Sequence, residues 1–241
     1  MDTVRPAGFR EPLRQADIDA IVRTFSAVGA VHVRGAIPAG VLADVRAAAE
    51  RTFHSWDELA ADGVLPAGLA TPHLRRFIPL NDLPLGYDPV DTLLHPAFRE
   101  LARSYLGKEP ELEASSHVRS IVLSRPDAHL PFHQDQTILK RPLLNIWVAL
   151  DACGVDAPGL ELVTESWSEL RDPSPPEQPQ FAVDHARLDA ASVLEAFAAE
   201  RFWRPVLQPG DAMLFSGATI HRTHVHAAMT ADRMSVELRL V

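Results

Sequence analysis

Residues 210–241, GDAMLFSGATIHRTHVHAAMTADRMSVELRLV, decide the fold class of this chain. Apolar side chains alternate in DAMLFS, in ATIHRTHV and in RMSVELRLV. A period of two marks strands with one face in a core. The stretch therefore reads as a strand, a turn, a strand bearing His221, and a closing strand that starts near Arg233. The same period begins near residue 112. It recurs in EASSHVRSIVLSR (113–125), LPFHQDQT (130–137), LLNIWVALD (143–151) and LELVTE (160–165). Turns rich in Pro, Gly and Asp separate these runs, for example Asp151 to Gly159 and Gln208-Pro209-Gly210.

Before residue 112 the pattern is helical. In QADIDAIVRTFSAVG (15–29), Ile18, Ile21, Val22, Phe25 and Val28 fall at helix spacing and Gly29 supplies a stop. AVHVRG (30–35) alternates like a strand. Pro38 opens a second helix whose apolar face is Leu42, Val45, Ala49, Phe53, Trp56 and Leu59, with Gly63 after it. HPAFRELARSYLG (95–107) is a third, and residues 64–91, with several Pro and Gly, read as a long loop. Between two later strands stand the Pro-rich RDPSPPEQPQ (171–180) and an amphipathic helix in LDAASVLEAFAAERF (188–202). Residues 165–205 are thus either a linker or a mobile cover. Helices followed by about eight short strands predict an α+β fold around an antiparallel sandwich or barrel of jelly-roll type. The expected unit is one domain, residues 1–241, helical to about residue 110 and strand-rich from about 111.

The formal charge is −9, and no run of basic residues is present. That argues against a nucleic-acid or anionic-membrane surface, either of which needs concentrated positive charge. Cys153 is the single cysteine, so an internal disulfide and a thiolate metal cluster are excluded. No apolar run is long enough to span a bilayer, and the first 30 residues lack a signal-peptide core. A soluble, cytoplasmic setting is expected; the sequence does not set the oligomeric state.

On a strand, residues i and i+2 share a face, so His133 and Asp135 would aim an imidazole and a carboxylate into one space. Alone, that pair is as easily a surface hydrogen bond. With His221 it becomes two neutral imidazoles and a carboxylate, the facial set that non-haem Fe(II) oxygenases use with positions left open. His224 and His226 compete with His221 for the third place. Arg233, on the closing strand, suits the far carboxylate of a chelating cosubstrate, because a guanidinium fork matches a carboxylate and stays charged when buried. Ser235 shares its face, and Thr223 shares the face of His221. Arg119, Arg125 and Arg239 are further candidates for the interior. Trp147 reads as core.

FHQD, LNIWVALD, APGLEL, GDAMLFSGATIH and R-x-S stand in the order found in phytanoyl-CoA dioxygenase-like, Fe(II)/2-oxoglutarate-dependent oxygenases. The chain resembles that family over roughly residues 112–241. The resemblance implies a double-stranded β-helix core, with iron on His133, Asp135 and His221 and 2-oxoglutarate anchored by Arg233. It also places the Trp147 strand beside the cosubstrate. Dioxygen and a small-molecule substrate follow, and the retained carboxylate of Asp135 argues for oxygenation rather than halogenation. The chain departs from the family in two places. TESW (164–167) stands where PGSH is common, and His224 and His226 stand where an asparagine is common after the distal ligand. Hydroxylation in a secondary-metabolite tailoring step is the expected activity. Alternatives are an acyl-thioester hydroxylase of lipid metabolism, favoured by Arg75, Arg76, Arg171, Arg187 and Arg201 near the long loops, a zinc hydrolase, or a non-catalytic metal-binding module. Phe77, Trp167, Phe202 and Trp203 are candidates to line the substrate pocket.

Overall fold

A computed structural model describes residues 15–64, 76–177 and 182–241. Nine strands are formed among them: β1 (Ala30–Val33), β2 (Phe77–Pro79), β3 (His117–Ile121), β4 (Leu144–Ala149), β5 (Gly159–Val163), β6 (Phe202–Trp203), β7 (Ala212–Ser216), β8 (His221–His224) and β9 (Arg233–Leu240). Six join in one sheet, in the order β1-β7-β4-β9-β3-β2, and three in another, β6-β5-β8. Every pairing is antiparallel. The result is a mixed α/β fold with antiparallel sheets.

Alternation along the large sheet sorts its two faces. Leu144, Ile146 and Val148 of β4, Ala212 and Leu214 of β7, and Met234, Val236, Leu238 and Leu240 of β9 all enter the core beneath the helices. That core is completed by α1 (Gln15–Val28), α2 (Ala39–Ala61), α3 (Pro89–Leu93) and α4 (Pro96–Leu106). Phe25 of α1 meets Tyr105 of α4 edge-on at 5.0 Å, and Leu42, Val45, Ala49 and Phe53 are the buried face of α2, as the spacing predicts. Trp147, Ala149, Met213 and Phe215 point the other way, against Leu160, Leu162 and Leu207 under the small sheet. A space between the sheets follows from this arrangement, and inward side chains of β4, β7, β8 and β9 share it.

Three expectations need correction. LPFHQDQT is not a strand. His133 makes isolated bridges to His221 and Arg187, and Asp135 begins the short helix α5 (Asp135–Leu139). Residues 64–91 are not all loop, since β2 and α3 lie within them; residues 65–75, with Arg75, lie outside the described residues. The amphipathic helix in 188–202 is confined to α6 (Ala190–Ala196), capped by Asp189, whose side chain accepts from Ser192 N at 2.7 Å. β1 and β2 also complete the two edges of the large sheet, so the part before residue 110 belongs to the same sheet as the strands after it.

Gly29, at the end of α1, has φ +77°, and a Cβ there would lie 2.1 Å from Trp167 Cδ1. Its carbonyl accepts from Ser216 N and Thr219 Oγ1. Gly29→Ala combines a left-handed penalty with overpacking, and should cost about 2–5 kcal/mol. A urea denaturation midpoint within error of the parent would show that Trp167 does not sit against this turn.

Candidate metal and cosubstrate site

The three donors predicted from spacing come together although only one of them lies on a strand. His133, Asp135 and His221 offer ligand atoms all within 4.8 Å of one another, and all three residues are buried. Nε2 of His133 lies 3.7 Å from Asp135 Oδ1, and Nε2 of His221 lies 3.6 Å from Asp135 Oδ2. The backbone sets this up. His133 N donates to His221 O at 3.0 Å, and His221 N to His133 O at 3.1 Å. This two-way bridge clamps the loop before α5 to the start of β8. Neither His224 nor His226 joins the cluster.

The tautomers follow from the neighbours. Nδ1 of His133 faces Pro131 O at 2.8 Å, and Nδ1 of His221 faces Thr219 O at 3.0 Å. A carbonyl only accepts, so each Nδ1 carries the hydrogen and each Nε2 keeps its lone pair for a metal. Burial pushes the His133 imidazole down to about 3, so it is neutral. Burial raises the Asp135 carboxyl, but Arg239 and the two histidines outweigh it and hold the group below its usual value. Two imidazoles with Nε2 turned to the site and a carboxylate are the donor set that a divalent iron takes.

Gln134, between the two near ligands, was not singled out from the sequence. It is fully buried; its Nε2 donates to Glu169 O at 2.8 Å and Ala218 O at 2.5 Å, while Oε1 accepts from Arg171 N at 2.9 Å. Leu188 N donates to Phe132 O at 2.7 Å. The segment expected to be a mobile cover is therefore tied by its backbone directly to the His133–Asp135 turn. A glutamine flanked by two ligands was the only sequence signal.

A pocket runs from Asp135 and His221 past Asn145, Trp147, Phe215 and Thr223 to Arg233 and Glu237. Arg233 is 2% exposed. Its Nε donates to Pro158 O at 3.1 Å, Nη1 donates to the Ser235 hydroxyl, and Cζ lies 4.7 Å from the Trp147 ring centre. Ser235 thus holds Arg233 rather than lining the pocket. Thr223 Oγ1 accepts from Leu130 N at 3.0 Å, which leaves its own hydrogen free to donate. Trp147 Nε1 and Asn145 Nδ2 are buried without a hydrogen-bond partner among the described residues. Buried donors of that kind call for an acceptor, and an oxygen-rich ligand is one.

The remaining inward residues of β9 are also charged. Glu237 lies 3.3 Å from Arg119 Nε and 3.2 Å from His117 Nε2. Burial lowers the His117 imidazole to about 4, against the pull of Glu237. Arg239 Nη2 reaches Asp135 Oδ1 at 3.4 Å and Glu237 Oε2 at 3.6 Å. Each of these two arginines has a carboxylate of the chain beside it. Arg233 makes no ion pair among the described residues, and burial drops its guanidinium to about 10.

Other candidates fall elsewhere. Arg125 lies beyond the end of β3 and not on that strand. Arg76 pairs with Asp57, Arg187 with Glu177, and Arg201 with Glu165; Arg171 lies over the Phe197 ring at 4.8 Å. Trp167 packs on Gly29, Trp203 on the core under the small sheet, and Phe202 edge-on to Phe132 at 6.2 Å. Phe77 stacks on His117 at 3.6 Å. Cys153 is buried and its thiol is pushed up to about 11, which makes it unreactive.

Residues 25–232 match the phytanoyl-CoA dioxygenase (PhyH) family. No curated protein matches the chain. Among solved structures of similar fold is AviO1 from Streptomyces viridochromogenes Tue57, 17% identical with a TM-score of 0.64, covering 95% of this chain and 96% of that one. SnoN, an epimerase solved with Fe3+, α-ketoglutarate and nogalamycin RO, is 22% identical with a TM-score of 0.61, covering 95% and 84%. EvdO2 from Micromonospora carbonacea var. aurantiaca is 16% identical with a TM-score of 0.63, covering 97% and 92%. Because the family match runs through every element that carries the three donor atoms, this chain belongs to the phytanoyl-CoA dioxygenase family of enzymes.

Proposed function

We propose that the protein is an Fe(II)/2-oxoglutarate-dependent dioxygenase that hydroxylates an unactivated C–H bond of a small molecule in natural-product biosynthesis. It acts as one domain over residues 1–241, with a double-stranded β-helix, or jelly-roll, core. His133, Asp135 and His221 hold the metal. Arg233 takes the far carboxylate of 2-oxoglutarate, with Ser235 steadying the guanidinium and Thr223 and Trp147 beside the bound cosubstrate. Bound iron with 2-oxoglutarate supplies the activation of dioxygen, and succinate and CO2 accompany the hydroxylated product.

One observation carries this reading. Three arginines stand on the inner face of the large sheet: Arg119 and Arg239 sit beside a carboxylate of the chain, and Arg233, which is buried, does not. A buried cation without a counter-charge is costly, so the pocket is built for an incoming anion. That anion must reach Arg233 from a metal held at the other end, which fits a five-carbon dicarboxylate. The protein's own part is to orient both ends and to exclude water. The substrate class draws support from the SnoN and SnoK structures, both described as belonging to nogalamycin biosynthesis. Arg76, Arg187 and Arg201 already have acidic partners, which weighs against an acyl-thioester substrate. Among the described residues no helix is long and apolar enough to cross a membrane.

Anaerobic addition of Fe(II) and then 2-oxoglutarate should produce a visible metal-to-ligand charge-transfer band. Its absence from protein that retains its fold would sink the assignment. Changing His133, Asp135 or His221 singly to Ala should abolish the band and metal retention while the circular dichroism spectrum persists. Arg233→Ala should raise the apparent 2-oxoglutarate constant more than tenfold, since truncating one partner of such a pair costs roughly 2–5 kcal/mol, and should leave iron affinity nearly unchanged. A constant close to the parent's would move the anchor to another residue.

A further inference from the structure

Asp135 opens α5, and its carboxylate lies between the two imidazoles. Nothing in a short helix fixes the χ angles of its first residue. The Nε2 atoms of His133 and His221 stand 3.7 and 3.6 Å from its oxygens, beyond hydrogen-bond distance. Among the described residues one donor reaches the carboxylate: Arg239 Nη2, at 3.4 Å from Oδ1. We propose that Arg239 is a positioning residue for the metal centre, one that fixes the Asp135 carboxylate so that a single oxygen is presented to iron. This rests on the metal assignment above and adds a role to a residue outside the ligand set.

Arg239 is itself held on several sides. Its Nη1 donates to Ser115 O at 3.2 Å and to Ser115 Oγ at 3.3 Å, its backbone N donates to Ser116 Oγ at 3.0 Å, and Glu237 lies 3.6 Å from Nη2. The guanidinium is therefore anchored to the loop before β3 and to its own strand, independently of the metal ligands. A free carboxylate offers four lone pairs and can chelate through both oxygens. A cation stationed at Oδ1 engages that oxygen and leaves Oδ2, on the His221 side, as the donor. β9 would then serve both ends of the pocket: Arg233 for the cosubstrate, and Arg239, on the same face, for the metal.

The two arginines are separable by experiment. Co(II) is the probe, because its absorption reports coordination without turnover; binding is measured by chelator competition on the full-length protein. Arg239→Met removes charge and donors at similar length, and should weaken Co(II) binding by about tenfold to a hundredfold, the usual cost of losing a group that orients a metal ligand. Its Co(II) spectrum should change, whereas the 2-oxoglutarate constant at saturating metal should stay near the parent's. Arg233→Ala should show the reverse pattern. Arg239→Lys keeps the charge without the fork and should lie between parent and Met variant. Parental Co(II) affinity and spectrum in Arg239→Met would overturn the proposal. So would a raised 2-oxoglutarate constant with unchanged metal affinity, because Arg239 would then be a cosubstrate anchor. If Arg239→Met does not fold, parental affinity and spectrum in Arg239→Lys overturn it instead. Failure of the unaltered protein to bind Co(II) would overturn the metal assignment itself, a different result from a variant that matches a parent that binds.

Discussion

The inner face of β9 carries Arg233, Ser235, Glu237 and Arg239 and no apolar residue, yet Arg233 and Ser235 are buried between the sheets and Glu237 and Arg239 are largely so. Buried charge is tolerated only when it is paired, so this one strand dictates what surrounds it. Glu237 requires a cation, and finds Arg119 on the neighbouring strand β3, with the His117 imidazole beside it. Arg239 requires anions, and finds Asp135 as well as Glu237. Arg233 finds only a carbonyl, a hydroxyl and an indole face. The opposite face of the same strand, Met234 to Leu240, is wholly apolar and lies in the helix-covered core. A slip of one residue would put the charges into hydrocarbon, which makes the register of β9 unusually well determined.

A second constraint is backbone connectivity. The near ligands lie on a loop and a helix end, which are poor places for precise geometry. They are made precise by the reciprocal hydrogen bonds between His133 and His221 and by the three bonds of Gln134. Those bonds also recruit the segment after β5, because Glu169 and Arg171 hang on Gln134 and Leu188 on Phe132. Any substantial displacement of these anchor points would disturb the metal ligands. Movement that is compatible with an intact centre must therefore come from between them.

Legibility in the sequence followed the strength of the repeating pattern. The helices before residue 112 and most strands after it were readable, because a 3.6 or 2.0 period over several turns or pleats reports one buried face. His221 and Arg233 were readable because each truly lies on a strand. His133 and Asp135 were paired for the wrong reason: in place of a strand face, a bridge and a helix start bring them together. Gln134 and the Arg239–Asp135 contact were illegible, since both depend on tertiary partners distant in sequence. Alternation turns Arg239 inward and leaves a salt bridge with an acidic neighbour open, but it does not say which carboxylate the arginine will meet.

The TESW departure has a physical reading that bears on where substrate can touch the protein. Glu165 has φ +67°, a left-handed conformation at the second position, where the family commonly has glycine. For a side-chain-bearing residue that conformation costs roughly 1–2 kcal/mol, and it is held here by Glu165 N donating to Val28 O and by an ion pair to Arg201. Ser166 Oγ donates to Val163 O and accepts from Ile220 N, the residue before His221. Thr164 Oγ1 donates to Arg201 O, and Trp167 covers Gly29. All four side chains are thus committed to the scaffold, joining α1, β5 and the turn that presents His221. Substitution here acts on the placement of the distal ligand first and on any bound molecule only through it. Among the described residues, the pocket-lining polar atoms that still lack partners stand on β4, at Asn145 and Trp147, and none of them belongs to the TESW turn.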